Sequence, residues 1–280
     1  MARGRLILCA TPIGNLEDVT LRSLRVLGEA NIVACEDTRR IRKLLTHHGV
    51  QTKKLVLYNE TNERRRSPGL VAKMSAGDTI VLVTDAGMPG LSDPGYRLVR
   101  ASVEAGVAVE VVPGPTAAIS ALAVSGLPPA RFVFEGFLPR KSGERRRRLE
   151  ELREEQRTLV FYESPHRIED TLGDMTEVLG PRPAALAREL TKLHEEVRRG
   201  TLTELLEGAR SVHPRGEIVL VVGGALRRDR DVVPEELARA AQDLMDSGVE
   251  RRAAMQEVAR EAGVSKRDVF DALLEAKGET

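Results

Sequence analysis

The chain has 280 residues, 41% of them hydrophobic, which is enough for sizeable cores and the length of two domains with a small appendage. Its charge is dense but balanced, 43 Lys and Arg against 42 Asp and Glu, so no whole-protein field gathers nucleic acid and any such partner must be held by local patches. Two cysteines, Cys9 and Cys35, and the lack of CxxC, HxxxH or HExxH spacing exclude a disulfide framework and a structural metal, and fit a reducing compartment.

The apolar run Leu6–Ala10 is too short for a signal-peptide core, and no window reaches the length of a membrane span, so a soluble, cytoplasmic protein is expected. From that run onward, strand and helix patterns alternate. Strands are expected at Leu6–Ala10, Ile32–Cys35, Leu55–Tyr58, Thr79–Val83 and Ala108–Val112. Helices are expected near Thr20–Ala30, Arg39–His47, Pro68–Ser75 and Gly95–Ala105. A second series follows the helix Thr116–Ser125 and the break at Gly126–Pro129, with strands near Phe132–Phe134, Thr158–Tyr162, Ala184–Ala187 and Glu217–Val222. Alternation of this kind predicts two α/β domains, with a boundary within 113–130. We place the domains at 1–115 and 116–226.

Arg227–Asp231 (RRDRD) reads as a linker, after which strand signals stop. Residues 234–280 form three helical patterns, a small all-α domain. In EVAREAGVSKRDVFDALL, Gly263 ends one helix and Ser265 caps the next. That spacing suits a helix-turn-helix and a plain three-helix module equally.

Three expected strands end in loops rich in glycine and proline: Thr11–Asn15 (TPIGN), Thr84–Gly95 (TDAGMPGLSDPG) and Pro113–Ala117 (PGPTA). Such loops present backbone rather than side chains, and three in one half of a chain suggest one shared small-molecule site. Neither GxGxxG nor GxxxxGK[ST] occurs, so nicotinamide and nucleoside-triphosphate chemistry lose support.

Polar clusters also sit at strand ends, where ligands bind in open α/β sheets. ACEDTR brings Glu36, Asp37 and Arg39 together, although Asp37 or Thr38 equally suits a helix cap. YNETNE, Tyr58–Glu63, reads more simply as a loop. In FYESPHR, His166 with Glu163 suits a proton carrier and its orienter, whereas Pro165 heading a helix capped by Ser164 is the structural alternative. ARELTK supplies Arg188, Glu189 and Lys192, and no GxSxG supports a hydrolase.

RKSGERRRR, Arg140–Arg148, opens a helix with i,i+4 pairing available between Arg146 and Glu150 and between Arg147 and Glu151. Four arginines at a helix start oppose its dipole, which an RNA phosphate would relieve; Arg39–Lys43 and Arg64–Arg66 add further basic patches. With no Trp, three Tyr and five Phe, recognition of folded RNA by backbone and shape is favoured over base stacking.

Together ATPIGNLEDVTLRSLRVL, ACEDTR, TDAGMPGLSDPGY, VPGPTAAISAL, EGFLPRK, YESPHR and ARELTK, spread over nearly the whole chain, resemble the tetrapyrrole-methylase superfamily and, within it, the ribosomal RNA small subunit methyltransferase I family. The resemblance implies S-adenosyl-L-methionine (AdoMet) bound in a cleft between two α/β domains, in a fold distinct from the Rossmann methyltransferases. It also implies 2'-O-methylation of a cytidine ribose in the decoding region of 16S rRNA, hence the small ribosomal subunit as partner, and a homodimer.

Carried over by position, the cofactor contacts are Thr11, Pro12, Asp85, Ala86, Gly87, Met88, Thr116, Ala117, Tyr162 and Ala187. Glu36, Asp37, Arg39, His166, Glu189 and Lys192 are expected around the ribose, with no metal. Met88 and Leu91 stand where Thr and Ile are commoner, and YNETNE replaces a segment that often carries histidines, leaving Glu60 and Asn62 as weak candidates for a base. Two alternatives remain open at this point: a corrinoid or porphyrin acceptor, and a ligand-sensing, nucleic-acid-binding regulator. In the latter, Lys266 and Arg267 are diluted by Asp268, Asp271 and Glu275.

Overall fold

A computed structural model describes residues 4–212, 214, 216–226 and 233–278. They divide into two compact units, one running to Gly224 and one from Ala225. The expected linker at Arg227–Asp231 lies outside the described residues.

The first sheet contains β1 (Arg5–Cys9), β2 (Ile32–Cys35), β3 (Leu55–Leu57), β4 (Thr79–Leu82) and β5 (Ala108–Val112), in the order β3-β2-β4-β1-β5. Every pairing is parallel, so each connection needs a crossover helix. The pleat sends alternate residues to opposite faces. Ile7, Cys9, Val33, Cys35 and Val81 pack under α1 (Leu21–Glu29) and α2 (Thr38–His47). Leu6, Ile32, Ala34, Ile80 and Leu82 pack under α3 (Glu63–Ser75) and α4 (Tyr96–Glu104). Because both faces are buried, these strands read as continuous apolar runs. β1 and β4 are neighbours whose following helices lie on opposite faces, so the loops after them flank the sheet's switch point.

Helix α3 begins at Glu63, five residues before the expected start at Pro68. Proline usually marks the first helical position. Here Ser67 anchors the extra turn, its hydroxyl donating to the Glu63 carbonyl (2.7 Å) and lying 3.0 Å from the buried Tyr58 hydroxyl.

The second sheet contains β6 (Phe132–Phe137), β7 (Thr158–Glu163), β8 (Pro183–Arg188), β9 (Glu196–Thr201) and β10 (Ile218–Val222), in the order β6-β7-β10-β8-β9. It is mixed: β6 and β7 run parallel and the other neighbours antiparallel. Helix α5 (Ala117–Ser125) packs Ala118, Ala121 and Leu122 on one face, where Ile13 from the first half joins the same cluster. Helices α6 (Ser142–Glu151), α7 (Ile168–Leu179) and α8 (Leu202–Ser211) cover the other face. Strand β9 is absent from the sequence expectation because EVRRGT has no apolar alternation. It is an edge strand guarded by charge, with Glu196 bridging Arg188 (2.6 Å) and Arg198 (2.7 Å).

The arginines of α6 do not form the expected i,i+4 pairs. Arg145 is buried against Asp174 (2.6 Å), Arg146 reaches Asp174 (2.7 Å) and Glu177 (2.6 Å), and Arg148 reaches Glu135 (2.8 Å) and Glu151 (2.5 Å). Carboxylates from α7 and β6 thus neutralise much of the run, which locks α6 to its neighbours.

The C-terminal unit packs α9 (Pro234–Asp246), α10 (Arg251–Ala262) and α11 (Lys266–Gly278) around Leu237, Ala241, Met255, Val258, Val269 and Leu273. Gly263 closes α10 with φ +70°, and Ser265 and Asp268 exchange side-chain to backbone hydrogen bonds at the start of α11.

Candidate active site

The three strand-terminal loops meet. Thr11 and Gly87 exchange backbone hydrogen bonds of 2.9 and 3.0 Å, the Thr11 hydroxyl donates to the Thr84 carbonyl (3.1 Å), and Ala10 N–H donates to the Val112 carbonyl (3.1 Å). Gly87 has φ +78°, where a side chain is strained, and this turn lets the second loop bridge back to the first.

Beside this bridge lies a cavity of about 300 Å³. Ala86, Gly87 and Met88 come from the second loop, Thr116 and Ala117 from the third, and Tyr162 from β7 of the second sheet. Tyr162 is held edge-on by Phe134 (5.2 Å) and tilted against Phe137 (5.5 Å), giving an aromatic wall. Leu91, Ser92 and Asp93 also line it, so the second half of the Thr84–Gly95 loop is a wall, and Gly95 then caps α4. Ser92 has φ +62°, and a Cβ on Gly136 of β6 would lie 2.8 Å from its hydroxyl: the two halves touch where neither has room to spare.

The remaining expected cofactor contacts lie elsewhere. Thr11, Pro12 and Asp85 line a second cavity of about 260 Å³, with Arg40, Lys43 and Lys192. Ala187 is fully buried in the apolar cluster under α5, paired in register with Val219, which does line the first cavity.

The expected catalytic residues separate in the same way. Asp37 is the N-cap of α2, accepting from Arg39 N–H (2.8 Å), and pairs with the exposed Arg39 side chain (2.7 Å). Those Arg39 hydrogen bonds hold the Asp37 carboxyl down at about 2, the behaviour of a surface cap. Glu163 is buried, accepting from Ser164 N–H (2.7 Å) and the Thr171 hydroxyl (2.6 Å) and lying 3.5 Å from Arg167. The exposed His166 is therefore not oriented by it, and Ser164 makes no side-chain cap; Glu163 ties down that turn instead. Glu60 is exposed, and Asn62 folds onto Asn59 N–H (3.1 Å) as part of a turn. Glu189 accepts from Lys192 (2.9 Å) and Glu217 N–H (3.1 Å), and Lys192 also reaches Glu217 (3.2 Å). The Lys192 hydrogen bond leads in holding Glu189 below the usual carboxylate range.

Glu36 keeps an electrostatic environment suited to chemistry. Burial first, then the Asp85 carboxylate, raise its pKa. Asp85 itself accepts from Asp37 N–H (3.0 Å) and pairs with Arg40 (3.3 Å). Asp93, absent from the expected site, goes further: burial, then Glu36, push its carboxyl up to about 6. Its place in DPG gives a sequence signal of a turn, while its proximity to Glu36 and Asp85 is created by strands far apart in the chain.

The family model of the tetrapyrrole (corrin/porphyrin) methylases matches residues 5–206. A ribosomal RNA small subunit methyltransferase I from Halalkalibacterium halodurans is 46% identical over 276 residues, covering 96% of this chain and 94% of its own length. A protein of the same name from Thermotoga maritima is 46% identical over 221 residues, covering 79% of this chain and 99% of its own. Among solved structures, uroporphyrin-III C-methyltransferase from Thermus thermophilus, complexed with S-adenosyl homocysteine, shares the fold with a TM-score of 0.58 and 24% identity over 79% of this chain and 97% of that one. Strand-terminal loops closing on one cavity, the family match and the near full-length relatives agree: the chain belongs to the tetrapyrrole methylases and, within them, to the ribosomal RNA small subunit methyltransferase I family.

Proposed function

We propose that this protein methylates rRNA with AdoMet, transferring the methyl group to the 2'-hydroxyl of a cytidine in the decoding region of 16S rRNA, on the small ribosomal subunit, as a cytoplasmic homodimer. Among the described residues no helix is long and apolar enough to cross a membrane. The observation that carries the reading is the first cavity. Among the described residues it is lined mainly by apolar groups, with a few hydroxyls, the acidic residues Asp93, Glu163 and Glu217, and no lysine, arginine or histidine. Its volume is at the lower end for a small-molecule site, and its charge suits a cationic ligand.

AdoMet supplies an electrophilic methyl group on a sulfonium sulfur. Ala86–Met88 and Thr116–Ala117 would offer it backbone, Tyr162 an aromatic wall, and Asp93 and Glu217 negative charge. These residues would hold the methyl donor beside its acceptor, and positioning of this kind supplies a large part of a transfer rate. The apolar lining excludes water from a step in which the sulfonium loses its charge. Asp93 is assigned as the acceptor of the hydroxyl proton: it lines the cavity, and a pKa near 6 suits a base working around neutrality. Glu36 acts through Asp93 by raising its basicity.

The fifth of the chain that the Thermotoga maritima relative leaves unmatched is about as long as the C-terminal helical unit, which carries more acidic than basic residues. Both facts support a methyl-transfer site complete without those helices. The test is incubation with labelled AdoMet and undermethylated small ribosomal subunits, followed by mapping of the label. Label on a cytidine 2'-oxygen is expected. Label absent from rRNA, or found instead on a porphyrin offered in parallel, refutes the reading.

A further inference from the structure

The two cavities flanking the Thr84–Met88 segment have opposite charge. Against Asp93 and Glu217 of the first, the second gathers Arg40, Lys43 and Lys192 with the single carboxylate of Asp85. In a chain whose formal net charge is +1, such separation is local and built. Leu16, Ile41 and Leu44 form an apolar side to the second cavity, and a low-dielectric wall concentrates the field of nearby cations.

Its cations come from distant segments. Arg40 and Lys43 stand on α2, a turn apart, while Lys192 arrives from the loop after β8 in the second sheet. That loop is strained, with Glu189 at φ +51° and Thr191 at φ +67°. A cross-link between the halves and a bond within the loop hold it: Asn15 N–H donates to the Thr191 hydroxyl (3.1 Å), and Thr191 N–H donates to Glu195 (2.6 Å). Gly14 makes the crossing possible, since a Cβ there would lie 2.6 Å from Lys192 Cγ and 2.8 Å from the Leu190 carbonyl. Backbone strain of this sort persists where the surroundings over-determine it, and it clusters at ligand clamps. Arg40 is engaged with Asp85, and Lys192 with Glu189 and Glu217. Lys43 is exposed and has no ion pair among the described residues.

We propose that this second cavity binds a backbone phosphate of the RNA, with Lys43 and Lys192 as its ligands and Arg40 shared between the phosphate and Asp85. The proposal rests on the rRNA-methylating reading above. It anchors a phosphate of the acceptor across one loop from the cationic donor, so that the RNA is held beside the cavity in which its ribose reacts. Lys192 is then a positioning residue that ties the second half of the protein to the bound RNA.

The experiment measures binding of undermethylated small ribosomal subunits against salt concentration for the wild type, Lys43→Ala, Lys43→Glu and Lys43→Arg. Lys43 lies on an exposed helix face, and unchanged melting temperatures confirm that the variants fold. Lys43→Ala is expected to bind about tenfold more weakly at low salt, Lys43→Glu more weakly still, and Lys43→Arg close to the wild type. The slope of log K against log salt should shrink by roughly 0.7 to 0.9 in Lys43→Ala, the signature of one lost phosphate contact. AdoMet affinity, read by calorimetry, should not change. Equal affinity and slope in Lys43→Ala and Lys43→Glu overturn the proposal, as does weaker binding at an unchanged slope, which indicates a contact other than phosphate. A wild type that methylates rRNA while Lys43→Glu binds normally sinks the phosphate site alone; a wild type that transfers no methyl to rRNA sinks the functional reading beneath it.

Discussion

Replacing Asp93 with asparagine sets the cost of the cleft against its use. Burial and the neighbouring Glu36 and Asp85 carboxylates push Asp93 from its ordinary 3.8 to about 6. A displacement of roughly 2 pKa units corresponds to about 3 kcal/mol between the protonation states. The side chain is only half-buried, so solvent screening leaves about 1–2 kcal/mol. The folded-state value lies above the unfolded one, so the folded chain holds more protons between pH 3.8 and 6. Stability therefore falls as pH rises through about 6, and the full penalty stands at neutrality. Asparagine keeps the shape and drops the charge, so Asp93→Asn should melt about 4 °C higher at pH 7.5 in a unit of this size. At pH 4.5 the gain should shrink to about a third. The same variant, assayed at saturating AdoMet, should lose methyl transfer by about a hundredfold, since a positioned base contributes at that scale. Calorimetry at both pH values and a single-turnover methylation assay read the outcome. A melting temperature below the wild type at pH 7.5, or an equal gain at both pH values, refutes the electrostatic account; an unchanged transfer rate refutes the role as base.

Asp174→Ala leaves Arg145 buried without its carboxylate and should cost about 3–5 kcal/mol, whereas Glu177→Ala, which breaks only the exposed pair with Arg146, should cost under about 1 kcal/mol. Thermal melting checks both, and equal shifts would show that the arginine run does not lock α6 in place. Gly87→Ala meets no close atom, since its nearest neighbours would be Ile13 at 3.7 Å and the Pro115 carbonyl at 3.8 Å, so its effect is conformational. The left-handed backbone should cost about 1–2 kcal/mol and weaken AdoMet binding by calorimetry; unaltered affinity would mean that the bridge to Thr11 does not shape the cavity. A chain ending at Leu226 should fold and bind AdoMet as the full chain does, and loss of binding would contradict a site complete without the C-terminal helices.

The sequence by itself determined the α/β class, the loops that close on the first cavity and the membership of a family, because each has a local signal. Apolar runs of strand length, glycine and proline after them, and a helix cap such as Thr20 or Asp37 act within a few residues. Edge strand β9 left no such signal, because its outer side answers to solvent and its stability comes from pairing with β8. The long start of α3 was likewise hidden, since Ser67 and Tyr58 stabilise a turn ahead of Pro68, the expected first helical residue. Among the candidate site residues, local sequence could place Asp37, Arg39, His166 and Lys192 at strand ends but not say which way each would face. Folding decided that Asp37 and Arg39 satisfy each other, that Glu163 turns inward away from His166, and that Lys192 crosses to meet Arg40 and Lys43. It also raised Asp93 by burying it, and then by setting it beside Glu36 and Asp85, from the ends of β2 and β4. Charge interacts through space, so the partner that sets a carboxylate's basicity, or the cation that completes an anion site, is chosen by strand order and not by spacing along the chain.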